Sequence, residues 1–335
     1  MIPARPRAVV VGAGISGIAC ARALSAGGVQ VQVRDRGRRP GGRLGVRTLE
    51  LPGGGEHVVD TGAAYLTARD EEFSALVEDW AARGLARPWT DTLAVLAPGG
   101  VRELTTGPQR WAAPGGLRSL VTDLAEDVDV VPSATVRSAS VVDDRPAADG
   151  EAVDALVLAM PDPQAGRLLA AEGPLGAVRA RLARPWEPVV TVYALWEQRW
   201  WPDLDAGFVA DDPLLSLVAD DGRRRGDGAA VLVAHTTAAA AAEHLGDPEA
   251  LAAPVLERLG VVLGVAAVPA PVVVAVHRWS FASPAEPHEE PYLLADAGRG
   301  LLGVCGDGWG GRPRVEQAWR SGTDLGRELA ARLAA

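Results

Sequence analysis

The residues with the clearest chemical potential are three glycines near the start of the chain. Gly12, Gly14 and Gly17 have the G-x-G-x-x-G spacing that lets a backbone turn tightly, approach a pyrophosphate and pack a helix against a strand. Asp35 follows about twenty residues later, where a carboxylate can accept hydrogen bonds from an adenosine ribose. The pattern predicts dinucleotide binding, and the alternative is a glycine-rich turn in an ordinary α/β unit.

These residues need a strand before them and a helix after them. The apolar run Val9–Val11 predicts a buried parallel strand. A helical pattern continues to Leu24, Gly27 and Gly28 end it, and Val29–Val33 predicts a second strand. The segment therefore predicts a βαβ unit whose helix N-terminus offers free N–H groups to phosphates.

Two further segments have residue types suited to the same ligand. Residues 36–43 form a loop rich in glycine and arginine, in which Arg43 can donate to a phosphate or carbonyl oxygen. The alternative there is a solvated basic turn. Residues 61–65 place small side chains in a row after a predicted strand, which lets a backbone lie against a flat ring system. The alternative there is a tight connection from strand to helix.

The end of the chain returns to the same chemistry. Residues 300–307 predict a buried strand that ends in Gly306 and Asp307, and a helix is predicted from Val315 onward. Asp307 at the carboxyl end of a strand is placed to bind sugar or ribityl hydroxyls. For Cys305 we expect buried packing, with covalent attachment of a cofactor as the minor alternative.

The middle of the chain differs in composition and in its predicted elements. Tryptophans and β-like runs at 188–195, 229–235 and 271–277 predict an inserted α+β substrate domain with an antiparallel sheet. The three arginines of residues 222–226 predict an exposed hairpin tip rather than a phosphate site. The expected fold class is α/β, with a Rossmann-like, doubly wound domain over residues 1–69, 110–164 and 290–335. The substrate domain is expected over residues 70–109 and 165–289.

Composition limits the possible functions. A length of 335 residues suggests about two domains, and a net charge of -10 argues against nucleic acid as a partner. All 33 basic residues are arginine, so Schiff-base chemistry on a lysine is excluded. Two cysteines and five scattered histidines make a metal site unexpected. The segment MIPARPR lacks signal-peptide character and no apolar run is long enough for a membrane span, so a cytoplasmic location is expected.

Seven motifs together resemble flavin oxidoreductases of the amine-oxidase superfamily, and most of all bacterial renalase-type proteins. They cover nearly the whole chain in the expected order: VVVGAGISG (9–17), PGGR (40–43), DTGAAYLTAR (60–69), RWAAPGGLRSL (110–120), MPDPQ (160–164), HRWSFA (277–282) and CGDGWGGRPRVEQAWRSG (305–322).

The resemblance implies non-covalently bound FAD and assigns residues to it. The implied cofactor-binding residues are Gly12, Ala13, Gly14, Ile15, Ser16, Gly17, Asp35, Arg36, Gly42, Arg43, Gly62, Ala63, Ala64, Val136, Gly306, Asp307, Arg314, Val315 and Ala318. The implied catalytic residues, which line the substrate pocket, are Tyr65, Trp279 and His277.

The resemblance also implies a reaction. The expected substrate is a mis-reduced dihydronicotinamide dinucleotide, which passes a hydride to flavin N5, and O2 reoxidises the flavin with formation of H2O2. The alternatives are a flavin oxidase or dehydrogenase acting on a small amine or natural-product intermediate, a non-catalytic FAD-binding protein, and a nicotinamide-dependent dehydrogenase without flavin. The oligomeric state stays open.

Two departures from the family pattern bear on the substrate. Many amine oxidases of the superfamily use a lysine near flavin N5, and this chain contains none. The absence disfavours amine oxidation. Ala64 stands where the family motif has glutamine, so any polar contact from that glutamine is missing.

Overall fold

The computed structural model describes residues 5–51 and 54–335. Residues 1–4 and 52–53 lie outside this description. The first four belong to the segment MIPARPR, on which the expected cytoplasmic location partly rests. The chain divides into two compact units. Unit 1 consists of the residues up to Arg43, Val121–Trp186, and the residues from Ser283 onward, and unit 2 consists of Leu44–Leu120 and Glu187–Ala282.

Unit 1 is built on a six-stranded sheet. In spatial order its strands are Leu293–Ala297, Gly300–Val304, Ala155–Leu158, Arg7–Val11, Gln30–Arg34 and Val130–Val131. All neighbouring pairs are parallel except the first, which is antiparallel. The central strands are apolar because both of their faces are covered. The predicted βαβ unit and doubly wound α/β class are confirmed.

Helices and a small sheet complete unit 1. The first helix, Ile15–Ala26, connects two parallel strands, and the last helix spans Val315–Ala334. The other helices here are Asp162–Gly166 and Gly176–Arg181, and the residues of Arg118–Leu124 are divided between the two units after Leu120. A three-stranded antiparallel sheet contains Ala139–Val142, Arg145–Ala148 and Glu151–Ala152.

The first and last helices pack with their backbones in contact. A Cβ added at Gly322 would lie 2.0 Å from the Ser16 carbonyl oxygen, and one added at Gly326 would lie 2.5 Å from the Cys20 carbonyl oxygen. Only glycine fits at both positions, since real Cβ atoms do not approach backbone this closely. The last helix therefore fixes the position of the first.

Unit 2 is built on a seven-stranded sheet. Its strand order is Val273–Pro284, Trp186–Leu195, Val231–Thr236, Leu215–Asp220, Ala206–Val209, Arg87–Ala97 and Gly100–Ala112. Most pairs are antiparallel, as predicted, although Ala206–Val209 runs parallel to Arg87–Ala97. A two-stranded antiparallel sheet pairs Val46–Glu50 with Glu56–Asp60. The helices are Glu71–Ala82, Asp221–Arg225, Ala238–Glu243 and Ala252–Leu263, with a 3₁₀ turn at Pro248–Leu251.

One expectation differs from the structure. Residues 222–226 are not an exposed hairpin tip, because Asp221–Arg225 forms a short helix and Arg224 is fully buried. Residues 44–69 and 110–120 cluster with unit 2, whereas 165–186 and 283–289 cluster with unit 1. The division into cofactor and substrate domains stays a functional prediction and does not coincide with these units.

Within the described ranges, no helix combines the length and apolarity needed to cross a bilayer. In the same residues, no group of three or more His, Cys, Asp or Glu side chains is arranged to hold a metal ion.

Candidate functional site

The glycine turn after the first strand is shaped by close backbone contacts. Gly12 has φ +113°, and a Cβ there would lie 2.4 Å from the Ala159 carbonyl oxygen. A Cβ at Gly17 would lie 1.9 Å from the Gly12 carbonyl oxygen. Gly14 is different, since no non-neighbouring atom lies within 4 Å of the place a Cβ would occupy. Two of the glycines thus serve the packing of the turn, and the third faces open space.

Asp35 holds this turn from the end of the second strand. One carboxylate oxygen accepts the Ala13 N–H at 2.6 Å, and the other accepts the Gly37 N–H at 2.5 Å. Each oxygen keeps a lone pair for a further donor, so the predicted ribose contact stays available. The neighbouring Arg36 side chain is exposed.

The second predicted loop meets the glycine turn directly. The Gly41 N–H donates to the Ala13 carbonyl oxygen at 2.9 Å, and a Cβ at Gly42 would lie 3.2 Å from the Gly14 Cα. The first helix begins at Ile15 without a side-chain cap. Ser16 Oγ is buried and has no hydrogen-bond partner among the described residues. The uncapped N–H groups of this helix and the Ser16 hydroxyl are therefore donors left for a ligand.

The carboxyl end of the strand Gly300–Val304 forms the other part of the unit 1 site. Arg43 binds Asp307 through two hydrogen bonds of 2.8 and 2.5 Å, and its guanidinium lies 5.0 Å from the centre of a Trp186 ring. Gly306 has φ +154°, and no non-neighbouring atom lies within 4 Å of its absent Cβ. A β-carbon would disfavour this backbone conformation and would occupy that space.

The remaining predicted residues of unit 1 lie in two places. Arg314 precedes the last helix and gives it no side-chain cap, Val315 is its first residue, and Ala318 is buried one turn later. Val136 belongs to the buried core of unit 1. Its contact with the adenine therefore stays a prediction.

Unit 1 fits a dinucleotide of the FAD type. Two helix N-termini lack side-chain caps, one buried hydroxyl lacks a partner, and two glycines face space that a Cβ would fill. Uncapped N–H groups with the positive end of a helix dipole suit phosphate oxygens. The chemistry of these donors matches an anionic pyrophosphate with sugar hydroxyls on either side.

In unit 2, the turn that contains Gly62, Ala63 and Ala64 is held by its carbonyl groups. The Thr61 carbonyl oxygen accepts from Trp279 Nε1 and from Thr191 Oγ1, both at 2.8 Å. Arg224 donates to the Ala64 carbonyl oxygen at 2.8 Å and to the Asp60 carbonyl oxygen at 3.2 Å.

Arg224 is itself held by buried carboxylates. Its guanidinium forms an ion pair with Asp221 and lies 4.0 Å from Asp60 Oδ2. Burial raises the pKa of Asp60 to about 6, although the Arg224 charge opposes the shift. Arg224 was not among the predicted site residues, and the available signal was the pair Asp220-Asp221, which is separated by one glycine from the three arginines.

The three predicted catalytic residues form two clusters in unit 2. His277 and Trp279 make an edge-to-face pair with ring centres 4.5 Å apart, and Arg47 Nη2 lies 3.1 Å from His277 Nε2. Tyr65 instead lies 6.2 Å from the Trp89 ring, with the Arg110 guanidinium 5.4 Å from its ring centre.

His277 is uncharged at neutral pH. Burial of the imidazole lowers its pKa to about 4, and the positive charges of Arg47, Arg118 and Arg278 contribute to the same shift. A neutral ring offers hydrogen bonds and shape rather than charge, and the positive charges of the arginines favour an anionic ligand beside it.

A buried cluster in unit 1 was likewise absent from the predicted site. Asp162 Oδ2 lies 3.0 Å from His288 Nε2, and its other oxygen accepts from Trp309 Nε1 at 3.3 Å. Asp162 belongs to the motif MPDPQ, but no feature of the sequence distinguishes His288.

Comparison with known proteins gives two family matches. Residues 10–80 match an NAD(P)-binding Rossmann-like domain, and residues 79–327 match the model described as "Flavin containing amine oxidoreductase".

Solved structures show the same fold. Cyclohexylamine oxidase from Brevibacterium oxydans superposes with a TM-score of 0.73 at 15% identity, covering 99% of this chain and 100% of that one. A cofactor-binding mutant of putrescine oxidase gives 0.72 at 17% identity, covering 98% and 99%. An oxidoreductase from Methanosarcina mazei gives 0.69 at 12% identity, covering 95% and 99%. At such identities the likeness concerns the fold alone.

Proposed function

The chain belongs to the flavin containing amine oxidoreductase family, and we propose that within this family it is a renalase-type oxidase acting on dihydronicotinamide dinucleotides. As a member of the family it is an FAD-dependent oxidoreductase. FAD, when bound, supplies a two-electron acceptor for a hydride and can return the electrons to O2 as H2O2.

Unit 1 holds the cofactor in this proposal. The N–H groups at Gly14 and Ile15 meet the pyrophosphate, and the Asp35 carboxylate meets the adenosine ribose. Arg43 and Asp307 bind the flavin half, with the Val315 N–H groups beside them. These roles follow from the open space and free donors described above.

The observation that carries the substrate proposal is the charge around His277. Arg47 contacts the ring, and Arg118 and Arg278 act on it with the same sign. A dinucleotide is anionic through its phosphates, whereas an alkylamine is cationic at neutral pH. The cluster therefore favours the dinucleotide by charge complementarity.

Trp279 and His277 serve to orient the substrate. The indole N–H is bonded to the Thr61 carbonyl oxygen at 2.8 Å, so the ring plane is fixed and offers an aromatic face for stacking. A dihydropyridine is electron-rich and needs no strong base to release a hydride. Orientation is then the main requirement on the protein.

Amine oxidation is the second candidate. Two of the solved structures with this fold carry amine-oxidase names, for putrescine and for cyclohexylamine. The arginines around His277 would repel such cations.

The first prediction separates these two reactions. Anaerobic mixing of the purified holoprotein with isomeric dihydro-NAD or dihydro-NADP is expected to bleach the flavin absorbance band within seconds. Putrescine and cyclohexylamine are expected to leave it unchanged. The measurement is stopped-flow absorbance, with ordinary NADH as an added control. Bleaching by the amines but by no dihydronicotinamide would reject the proposal in favour of the second candidate.

The second prediction concerns Arg47. Arg47→Gln is expected to raise KM for a dihydronicotinamide dinucleotide about tenfold, which corresponds to the loss of about 1.4 kcal/mol from a charge-assisted contact. The KM for dihydronicotinamide riboside, which has no phosphate, should change less than about twofold. Arg102 is a matched control, because it is exposed and pairs with Asp211. Equal effects of Arg47→Gln on both substrates would show that this arginine does not recognise phosphate.

A further inference from the structure

Three side chains in the interior of unit 1, Asp162, His288 and Trp309, form a hydrogen-bonded array. Asp162 and His288 are each 2% exposed, and Trp309 is fully buried. One Asp162 oxygen lies 3.0 Å from His288 Nε2, and the other accepts from Trp309 Nε1 at 3.3 Å. The imidazole and indole rings are stacked, with centres 3.7 Å apart and planes within 5°. Such an array has one arrangement, since each ring is fixed by both a hydrogen bond and a stack.

The array is joined to the loop that follows Asp307. The His288 N–H donates to the Gly308 carbonyl oxygen at 2.7 Å. In return, the His288 carbonyl oxygen accepts from the Gly310 and Gly311 N–H groups, both at 2.9 Å. The backbone of His288 is therefore hydrogen-bonded to residues 308, 310 and 311, and the His288 ring stacks on Trp309 within the same loop.

We propose that Asp162 and His288 are positioning residues for the cofactor, which hold the loop 307–311 so that Asp307 is presented to FAD. The proposal rests on FAD as the cofactor and on the assignment of Asp307 to its flavin half. It does not depend on the substrate proposed above.

The charges around the array favour the neutral acid. Burial raises the pKa of Asp162 to about 7; the nearby Asp307 adds to the shift, while the Trp309 N–H and the Arg184 charge oppose it. Burial lowers the pKa of His288 to about 4. Arg184 and Arg181 act in the same direction, and Glu290 opposes them.

The neutral pair makes both hydrogen bonds of the Asp162 carboxyl group, while His288 Nδ1 has no hydrogen-bond partner among the described residues. The Asp162 O–H donates to His288 Nε2, and the other Asp162 oxygen accepts from Trp309. Ionised Asp162 would place a second negative charge near Asp307, whose only described charged hydrogen-bond partner is Arg43. We expect this repulsion to loosen the loop as pH rises through about 7.

The test is the rate of FAD release from the holoprotein on dilution, followed by the gain of flavin fluorescence between about pH 6 and pH 8.5. In the native protein this rate is expected to increase about threefold to tenfold across the range. Asp162→Asn reproduces the neutral acid, since its amide N–H donates to His288 and its carbonyl accepts from Trp309. Over the whole pH range, this variant should release FAD at the rate that the native protein shows at about pH 6. The exposed Asp296 gives the control Asp296→Asn, which should keep the native profile.

His288→Phe gives a second measurement. Phenylalanine keeps the stack on Trp309 and loses the acceptor for Asp162, so FAD release is expected to be about tenfold faster at about pH 6 with the far-UV spectrum unchanged. An Asp162→Asn protein that keeps the native pH dependence, or that releases FAD at acidic pH as fast as Asp162→Ala, would overturn the proposal. Neither readout uses a substrate, so a wrong substrate assignment cannot mimic this failure.

Discussion

Replacing Gly14 by alanine is expected to weaken FAD binding by at least about tenfold and to lower the stability of the FAD-free protein by no more than about 1 kcal/mol. No non-neighbouring atom lies within 4 Å of the position that the new Cβ would take, and the backbone of this helix N-cap has φ −73°. An alanine is therefore tolerated by the fold at a cost of about 0.5–1 kcal/mol, the difference between glycine and alanine at an N-cap. The methyl group instead enters the space that the proposal assigns to the pyrophosphate.

Gly17→Ala is the matched variant in the same turn. Its Cβ would lie 1.9 Å from the Gly12 carbonyl oxygen, so the turn must distort whether or not FAD is present. We expect a loss of both thermal stability and FAD affinity, at a cost of about 2–3 kcal/mol for overpacking. Thermal melting of the FAD-free proteins and fluorescence titration with FAD measure the two effects separately. If Gly14→Ala lowered the melting temperature as much as Gly17→Ala does, the open space at Gly14 would not be a ligand site.

The largest expected change in stability comes from Arg224→Met. The Arg224 side chain is fully buried, pairs with Asp221 and lies near Asp60. Its removal leaves two buried carboxylates without their main cation and frees the carbonyl group of Ala64. Breaking a buried pair in this way costs about 3–5 kcal/mol of unfolding free energy.

The loss should also depend on pH. Asp60 has a folded-state pKa of about 6, above the ordinary value of about 3.9, so the folded protein binds more protons than the unfolded one between those pH values. Its stability therefore falls as pH rises through this window. Without the Arg224 charge the folded pKa of Asp60 rises further, and the penalty extends to higher pH. Chemical denaturation should show a larger loss for Arg224→Met at about pH 8 than at about pH 5.

Arg223 provides the control for this experiment. It is the neighbouring arginine, but its side chain is 40% exposed and pairs with Asp203 and Asp205 at the surface. Arg223→Met should cost less than about 1 kcal/mol, since exposed pairs contribute little. Comparable losses for Arg223→Met and Arg224→Met would mean that burial of the Arg224 pair is not the source of the effect.

Local rules predicted the dinucleotide half of the molecule. The spacing of Gly12, Gly14 and Gly17 predicts a strand, a turn and a helix within a few residues. The apolar strands Ala155–Leu158 and Gly300–Val304 predict positions in the interior of a sheet that is covered on both faces. Each of these inferences depends on residues close together in the chain. For that reason the α/β class and the βαβ unit follow from the amino-acid sequence alone.

Contacts between distant segments were not accessible in the same way. Arg224 looks solvated in isolation, because one of its carboxylates comes from Asp60, a residue far earlier in the chain. No local motif surrounds His288 in the sequence. Its possible role becomes visible only from its contacts with Asp162 and Trp309, which are distant in the chain. Likewise, the resemblance named Tyr65, His277 and Trp279 together, but a motif carries no distances. In the structure the Tyr65 ring contacts Trp89, and the His277 ring contacts Trp279.

The contact between the first and last helices has a consequence for biosynthesis. Gly322 and Gly326 meet Ser16 and Cys20, so the helix that begins the nucleotide site is translated roughly 300 residues before the helix that supports it. At about 5–20 residues per second, that interval is roughly 15 s to a minute. During this time the nascent glycine turn has no docked partner on one side. Loading of FAD is therefore expected to be a late event, completed after residues 315–334 leave the ribosome, and nascent chains that stall before this point are expected to emerge without cofactor.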